Sequence, residues 1–281
     1  MSELSYCGEQ VERYDRDRYM TCLFAPEPRR ERLFALYAFN LEIAKTAEVV
    51  SEPMLGEIRL QWWRDAVAGI YDGNPRAHAV VGPLAEAVAA AALDRGLIEG
   101  LIDARARDLD AEAGVPATLA ALEDYADGTS GNLARLALAL LGAEGAGADA
   151  AGRHAGIAWA LTGLARAVPF HARKKRCYLP EDLMGEAGLG LGELYQLRSS
   201  PALARVVGEI ANRAGRHLSE ARAHRRGLPR SALPALLPAV LAQGYLTLLA
   251  RRGHDPFDPA VQAGLPGGIW RLAWAWARRR Y

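Results

Sequence analysis

The chain has 281 residues, is 51% hydrophobic and carries a formal net charge of +1. A charge this close to zero argues against general electrostatic attraction to nucleic acid, so no nucleic-acid partner is predicted. Its three cysteines have no paired spacing, which excludes a disulfide framework or a cysteine-based zinc site as the organising feature.

The composition predicts an all-α fold. Ala, Leu, Arg and Glu are abundant and favour helices, and no stretch alternates with period two. Proline and glycine separate helix-length segments, which we predict near 8–23, 28–51, 54–72, 76–95, 97–113, 118–142, 147–168, 200–226, 233–252 and 266–280. The stretch 178–200 is predicted to be the longest irregular piece, and one domain is predicted over 1–281.

No membrane-spanning segment is predicted. The N-terminal residues MSELSYCGEQ are polar and lack the layout of a signal peptide. No run approaches the roughly 18 apolar residues of a spanning helix. We therefore expect a cytoplasmic protein whose contact with the inner membrane is peripheral.

The segment YAFNLEIAKTAEVV, residues 37–50, raises the question of a metal site. Positions 44 and 48 lie one helical turn apart, and two carboxylates there could hold Mg²⁺ together with water and a substrate phosphate. Ala44 has no ligand atom, however, and Lys45 adds a positive charge. From the residues alone, Glu42 and Glu48 are also consistent with a solvated helix face.

The segment HAGIAWALTGLARAVPFHARKKRCYLPEDL, residues 154–183, combines a helix break with basic residues. Pro169 predicts that the helix kinks or ends near Val168. The run 173–176 either faces an anionic group or is a solvated charge run at a helix end. His171 has no neighbouring histidine or cysteine, so a zinc role is not predicted.

Two further segments carry polar or small residues at helical spacing. In LIDARARDLD, residues 101–110, Asp103, Arg107 and Asp110 form either a surface ion-pair row or a polar stripe inside a cleft. The segment 122–142 contains small residues that permit a bend or close approach of another helix: Gly128, Ser130 and Gly131.

Together these segments resemble the squalene/phytoene synthase family. ALYAF (35–39) resembles the lead-in to its first aspartate-rich motif, LIDARARDLD its mid-chain acidic helix, and DYADGTSGNLA (124–134) its Tyr-then-Ala-Gly helix. LTGLARAVPFHARKKRCYLPEDL (161–183) resembles its second aspartate-rich motif. The resemblance implies an isoprenoid-synthase-type bundle around a central cleft, in which family enzymes join two prenyl diphosphates using Mg²⁺.

The departures from the family pattern fall on the metal-binding positions. The four aspartates of the two motifs correspond to Ala44, Glu48, Ala167 and His171, so three of the four carboxylates are absent. We also expect Pro169 to break the one-face geometry of the second motif. No cofactor is therefore predicted, and Mg²⁺ is expected only if the chain is a condensing enzyme.

The segments around these replaced metal-binding positions follow a recognisable pattern. AFNLEIA, SEPMLGEIRLQWWRDAV and ARAVPFHARKKRCYLP resemble a divergent branch of the family that is associated with assembly of mitochondrial respiratory complex I, and the chain looks like a bacterial relative. This implies a non-catalytic scaffold whose partners are complex I subunits or assembly intermediates. The alternatives are a head-to-head prenyl diphosphate synthase and a carrier that holds a prenyl diphosphate or lipid in the old cleft.

The resemblance implies a set of cleft residues. We expect the helix containing 37–48 and the helix containing 161–171 to face each other across the central cleft. The candidates for the cleft are Tyr37, Asn40, Glu42, Glu48, Asp103, Tyr125, Arg166, His171, Arg173, Lys174, Arg176 and Tyr178.

The C-terminal segment GGIWRLAWAWARRRY, residues 267–281, combines tryptophan with arginine. This pairing is typical of a membrane interface, and it predicts weak contact with an anionic membrane through Trp270, Trp274 and Arg278. The alternative is that the tryptophans pack on the bundle as part of its core.

Overall fold

A computed structural model describes residues 4–109 and 115–281, and over these ranges it contains helices and turns but no strand. The predicted all-α class is therefore confirmed. The helices are α1 (Tyr6–Tyr14), α2 (Arg16–Cys22), α3 (Arg29–Ala44), α4 (Thr46–Val49), α5 (Pro53–Tyr71), α6 (Val81–Ala91), α7 (Arg95–Ala106), α8 (Leu119–Ala126), α9 (Asn132–Leu140), α10 (Ala146–Arg166), α11 (Val168–Arg173), α12 (Glu181–Ala187), α13 (Leu191–Leu194), α14 (Pro201–Ala223), α15 (Leu233–Leu236), α16 (Pro238–Arg251), α17 (Pro259–Gln262) and α18 (Gly268–Ala277). Shorter helical turns are the 3₁₀ turns Arg107–Leu109 and Arg230–Ala232 and the π-helical turn Asp127–Gly131.

Helix α10 lies at the centre of the bundle and packs against α8, α9, α14 and α16. Its small residues let the π-helical turn approach closely. A Cβ atom added to Gly156 would lie 2.2 Å from the carbonyl oxygen of Ser130 and 2.6 Å from the Cα of Gly131. The predicted close approach at residues 128–131 is confirmed, because no side chain larger than hydrogen fits at position 156.

Helix α3 is buried along most of its length because apolar residues follow one another without a polar face. Leu33, Phe34 and Phe39 are fully buried, and α3 packs against α1, α6 and α9. The ring of Phe39 meets Trp63 of α5 edge to face at 5.4 Å. A helix that is apolar all round belongs inside a bundle, and its last turn carries the first motif to the centre of the molecule.

Several predicted helix boundaries are wrong. The predicted helix 8–23 is interrupted at Asp15, whose side chain caps α2 by accepting a hydrogen bond from the backbone N–H of Arg18. The predicted helix 28–51 is interrupted at Lys45, and the predicted helix 76–95 begins only at Val81. The stretch 178–200, predicted to be irregular, contains α12 and α13.

The break predicted near Val168 is confirmed. Helix α10 ends at Arg166, and α11 begins at Val168 with Pro169 in its first turn, where a missing N–H costs no helical hydrogen bond. The basic run 173–176 starts at Arg173, the last residue of α11.

Over the described residues, no single helix is both long and apolar enough to cross a bilayer. The pair Arg230–Leu236 and Pro238–Arg251, bent by 41°, reaches the required length and apolar composition only as a pair.

Candidate functional site

A cleft of about 260 Å³ opens between the C-terminal ends of α3 and α4 on one side and of α10 and α11 on the other. The 3₁₀ turn after α7 and the π-helical turn after α8 complete its wall. The four positions equated with metal-binding aspartates all line it: Ala44, Glu48, Ala167 and His171. The two motif segments therefore face each other across one cavity.

The expectation that Pro169 breaks the one-face geometry is wrong. The backbone N–H of His171 donates to the carbonyl of Ala167 at 3.0 Å, so these two positions still lie one helical turn apart, and both line the cleft. Proline is accommodated because it sits in the first turn of a new helix. Positions 167 and 171 therefore keep the one-face spacing, with Ala and His as their side chains.

Glu48, the one carboxylate at the four motif positions, is paired with a basic residue from the opposite side. Lys174 Nζ lies 2.9 Å from Glu48 Oε2, and both side chains are a little over 40% exposed. Lys174 also lies over the ring of Phe170, 4.3 Å from its centroid. The ammonium group occupies the space next to this carboxylate on the side that faces the cleft.

A second carboxylate in the cleft wall, Asp108, is buried and fully engaged. The hydroxyl of Tyr125 lies 2.9 Å and 3.0 Å from its two oxygens, and the hydroxyl of Tyr178 donates to Oδ1 at 3.0 Å. The guanidinium of Arg105 donates to Oδ2 at 3.2 Å and to the Tyr125 hydroxyl at 2.7 Å. This network satisfies the carboxylate from within the protein.

Arg176 joins the two sides of the cleft through backbone contacts. Its two terminal nitrogens donate to the carbonyl oxygens of Asp108 at 2.9 Å and Ala47 at 2.8 Å. The planar guanidinium suits two such acceptors at once. Arg176 therefore holds the 3₁₀ turn and α4 in place.

Burial shifts the pKa values of Tyr178 and His171 in this wall. Desolvation, with the nearby Asp108 carboxylate adding to it, raises the pKa of Tyr178, so this phenol remains a donor. Desolvation lowers the pKa of His171 to about 4, against the opposing attraction of Asp108 and Glu48. His171 is therefore neutral near pH 7.

The wall carries more positive than negative charge. Four basic side chains line the cleft, namely Arg18, Arg105, Lys174 and Arg176, against the two carboxylates Glu48 and Asp108. A cleft with this balance favours an anionic occupant over a cation.

Half of the candidates named from the sequence line the cleft, and half do not. Those in the wall are Glu48, Tyr125, His171, Lys174, Arg176 and Tyr178. The remaining six candidates lie outside the wall, and the local contacts of each are given below.

Three of these outlying candidates belong to the first motif region. Tyr37 is buried beneath the cleft, with the Arg18 guanidinium 5.5 Å from its ring centroid. Asn40 is buried in the core, and its Oδ1 has no hydrogen-bond partner among the described residues. Glu42 points away and pairs with Arg59 of α5 at 2.7 Å.

Asp103, Arg166 and Arg173 also lie outside the wall. Asp103 is 65% exposed and pairs with Arg64, so the sequence pattern selected the wrong aspartate of LIDARARDLD. Helix α7 ends at Ala106, and the following 3₁₀ turn directs Asp108 inward instead. Arg166 stacks on Tyr245 at 3.4 Å from the ring centroid, and Arg173 is exposed. Asp110 lies outside the described residues.

Sequence reasoning missed several residues of the wall. Arg105 and Asp108 stood within a quoted motif, but Asp103 and Arg107 have a comparable helical spacing, so the spacing alone did not distinguish the two pairs. Arg18 reaches the cleft from the N-terminal helices, where its guanidinium donates to Ser130 Oγ at 3.3 Å. No local pattern connects residue 18 with residue 130.

The cleft does not fit a magnesium cluster of the kind the family uses. Ala44 and Ala167 offer no ligand atom, Glu48 is paired with Lys174, and both oxygens of Asp108 accept hydrogen bonds from the protein. Mg²⁺ requires several free oxygen ligands in octahedral geometry. Over residues 4–109 and 115–281, no group of three or more His, Cys, Asp or Glu side chains is arranged to hold a metal ion.

The fold and the cleft define a member of the squalene/phytoene synthase family, and the family profile matches residues 11–275. A relative from Mus musculus named NADH dehydrogenase (ubiquinone) complex I, assembly factor 6 is 33% identical over 279 residues, covering 98% of this chain and 82% of that protein. A presqualene diphosphate synthase from Rhodopseudomonas palustris is 27% identical and covers 88% of each chain. The crystal structure of a dehydrosqualene synthase in complex with ligand has the same fold, with a TM-score of 0.84 at 17% identity over 98% of this chain and 95% of that one.

Proposed function

We propose that this chain is a non-catalytic assembly factor for respiratory complex I that retains the cleft of a condensing synthase. The observation that carries the proposal is the state of the two carboxylates in the cleft. Glu48 is paired with Lys174, and Asp108 is saturated by Tyr125 and Tyr178. The similarity to complex I assembly factor 6 over nearly the whole chain supports the same conclusion.

These contacts weigh against the alternative, a head-to-head prenyl diphosphate synthase, because of the chemistry that such an enzyme performs. Departure of diphosphate from a prenyl substrate develops negative charge, which divalent metal ions or an equivalent set of cations must stabilise. Basic side chains such as Lys174 and Arg176 suit binding of one anion, but they do not replace a metal cluster between two substrates. The cleft is also smaller than the roughly 300–1,000 Å³ of ordinary ligand sites, which disfavours two long substrates side by side.

We further propose that the cleft holds one small anionic or prenyl group without metal. The excess of basic side chains favours an anion, and the apolar portions of Trp159, Leu164 and Phe170 border the same space. Such a ligand would stabilise the fold and the surface that a complex I subunit contacts. The expected location is the cytoplasmic face of the inner membrane, with peripheral attachment.

The assembly role is tested by deleting the gene in the organism that encodes the chain. Native gels and NADH:ubiquinone oxidoreductase activity report the amount of assembled complex I. We expect assembled complex I to fall and to recover when the wild-type gene is restored. An unchanged amount of complex I would refute the assembly role.

The similarity to a presqualene diphosphate synthase makes a condensing activity the alternative to exclude. The purified chain is incubated with labelled farnesyl or geranylgeranyl diphosphate and Mg²⁺, with the Rhodopseudomonas palustris enzyme as positive control. We expect product from the control and none from this chain. Magnesium-dependent formation of a condensed product by this chain would overturn the proposal.

A further inference from the structure

The C-terminal helix α18 has one buried and one exposed face. Leu272 and Ala275 are buried against α16, and Trp276 lies 5.6 Å from Phe24, measured between ring centroids. On the opposite face, Trp270 is 77% exposed and Trp274 is 62% exposed. The alternative that all these tryptophans form core applies to Trp276 only.

The exposed residues form a continuous stripe. Trp270, Trp274 and Arg278 are spaced four apart and therefore stack along one side of the helix. The Arg278 guanidinium lies 4.2 Å from the Trp274 ring centroid. Two large aromatic side chains are exposed to solvent on the same face of the helix, and an exposed apolar patch of this kind indicates an interaction surface.

A second set of arginines adjoins this stripe. The C-terminal residue Tyr281 is buried, donates from its hydroxyl to the carbonyl of Ala221 at 3.0 Å, and accepts from Arg222 Nε through its own carbonyl at 2.9 Å. These contacts bring the end of α14 next to the end of α18. The exposed arginines at this junction, which we call the arginine ridge, are Arg225, whose charge acts on Tyr281, and Arg278, Arg279 and Arg280 at the end of α18.

The C-terminal segment 221–281 differs sharply in net charge from the rest of the chain. From Ala221 to Tyr281 there are ten arginines, two aspartates, no lysine and no glutamate, a formal charge of +8. The whole chain carries +1, so the preceding 220 residues carry −7. Such an asymmetry indicates a binding partner of opposite charge at this end.

We propose that the tryptophan stripe and the arginine ridge form the contact of this protein with an anionic lipid bilayer. Indole rings are favoured at the level of the lipid headgroups, and arginines beside them pair with anionic headgroups. Burial of the two rings and attraction of the arginines add to give reversible, salt-sensitive binding. This inference rests on the peripheral attachment proposed above and names the surface that makes it, whereas the assembly role is tested separately by the amount of assembled complex I.

The test uses the full chain with vesicles of phosphatidylcholine containing phosphatidylglycerol and with vesicles of phosphatidylcholine alone. We expect co-sedimentation with the anionic vesicles at low salt, weaker binding at high salt, and little binding to phosphatidylcholine alone. Absence of binding to anionic vesicles, or equal binding to both kinds, would overturn the proposal and leave an acidic protein as the partner of this surface.

Point variants locate the contact better than truncation, because removing the C-terminus also removes the buried anchor Tyr281. We expect the double variant Trp270→Ala/Trp274→Ala to bind anionic vesicles about tenfold more weakly. The double variant Arg279→Glu/Arg280→Glu should lose at least about thirtyfold, since each of the two lost charges near the surface contributes about 1 kcal/mol and every 1.4 kcal/mol is a factor of ten. Circular dichroism and urea unfolding confirm that each variant is folded.

Matched controls come from exposed apolar and basic residues on other elements of the chain. Met54 and Ile58 are 64% and 61% exposed, and Lys175 and Arg198 are exposed basic residues. Met54→Ala/Ile58→Ala and Lys175→Glu/Arg198→Glu should bind like wild type. If these controls lose binding while the α18 variants retain it, the proposed surface is wrong. Quenching of tryptophan fluorescence by brominated lipid, lost in Trp270→Phe/Trp274→Phe, provides an independent readout of contact.

Discussion

Lys174 Nζ lies 2.9 Å from Glu48 Oε2, so a basic residue of the second motif region neutralises the carboxylate kept in the first. Both side chains are about two-fifths exposed, and such a pair contributes about 0–1 kcal/mol to stability. The Glu48–Lys174 pair matters more for the chemistry of the cleft than for stability. Through it, the two segments that would share a metal cluster in a family enzyme contact each other directly. The cleft persists without the ligands that would hold Mg²⁺.

Adding Mg²⁺ should leave the thermal unfolding midpoint unchanged. A ligand raises the midpoint only if it binds the folded state, and the carboxylates of the cleft are already engaged. Differential scanning fluorimetry with Mg²⁺, and with Na⁺ at matched ionic strength, measures this. The variant Lys174→Met should behave in the same way, because Glu48 alone is a poor site. A saturable rise with Mg²⁺ would contradict the prediction.

Replacing Asp108 by asparagine should destabilise the fold by about 2–4 kcal/mol, because Arg105 loses a buried charged partner and the two tyrosines lose an anionic acceptor. Asp108 is 7% exposed. The matched control is Asp103→Asn in the preceding helix, where the ion pair with Arg64 is exposed and the expected loss is below about 1 kcal/mol. Urea unfolding measures both, and equal losses would show that the Asp108 network contributes no more than a surface pair.

The pH dependence of stability should report the burial of His171. Its pKa is about 4 in the folded protein against 6.5 for an ordinary histidine, so the unfolded chain binds more protons between these values. Stability is therefore lost as the pH falls from about 6.5 to about 4, by about 2 kcal/mol after allowing for partial exposure.

The control for this prediction is His171→Gln, which cannot titrate in that range. The wild type should lose its stability advantage over the variant as the pH falls. The reason is that only the wild type has an imidazole that is protonated in the unfolded chain and stays neutral in the folded one. A difference that stays constant across the range would mean that His171 titrates normally.

Gly156→Ala should destabilise the bundle by about 2–3 kcal/mol, because the added methyl group would overlap the backbone at Ser130 and Gly131. Gly163 lies in the same helix and has no atom within 4 Å of an added Cβ. Gly163→Ala should be neutral or stabilise by up to about 1 kcal/mol through helix propensity. Chemical denaturation distinguishes the two, and similar effects would show that the π-helical turn can move away from α10.

Much of the fold follows from local rules that the sequence states directly. The helix formers and the proline and glycine breaks predict an all-α bundle, and Pro169 predicts a break near Val168, where α10 has ended at Arg166. The small residues 128–131 predict the close approach seen at Gly156. These features depend on the conformational limits of single residues and on helical spacing, which do not need the rest of the chain.

The missed helix breaks show where local rules end. The break at Lys45 has no proline or glycine beside it, whereas α12 lies between Pro180 and Gly188 and was nevertheless predicted to be irregular. Packing against other helices decides whether such short pieces remain helical, because an isolated helix of this length is not stable in water.

The cleft was only half determined by sequence. The motif positions 44, 48, 167 and 171 could be placed in one cavity from their spacing and resemblance, and all four line it. The choice of Asp108 over Asp103, the pairing of Glu48 with Lys174, and the entry of Arg18 required the tertiary structure. Each depends on which side chains meet across distant segments, and helical periodicity carries no information about partners more than a hundred residues away.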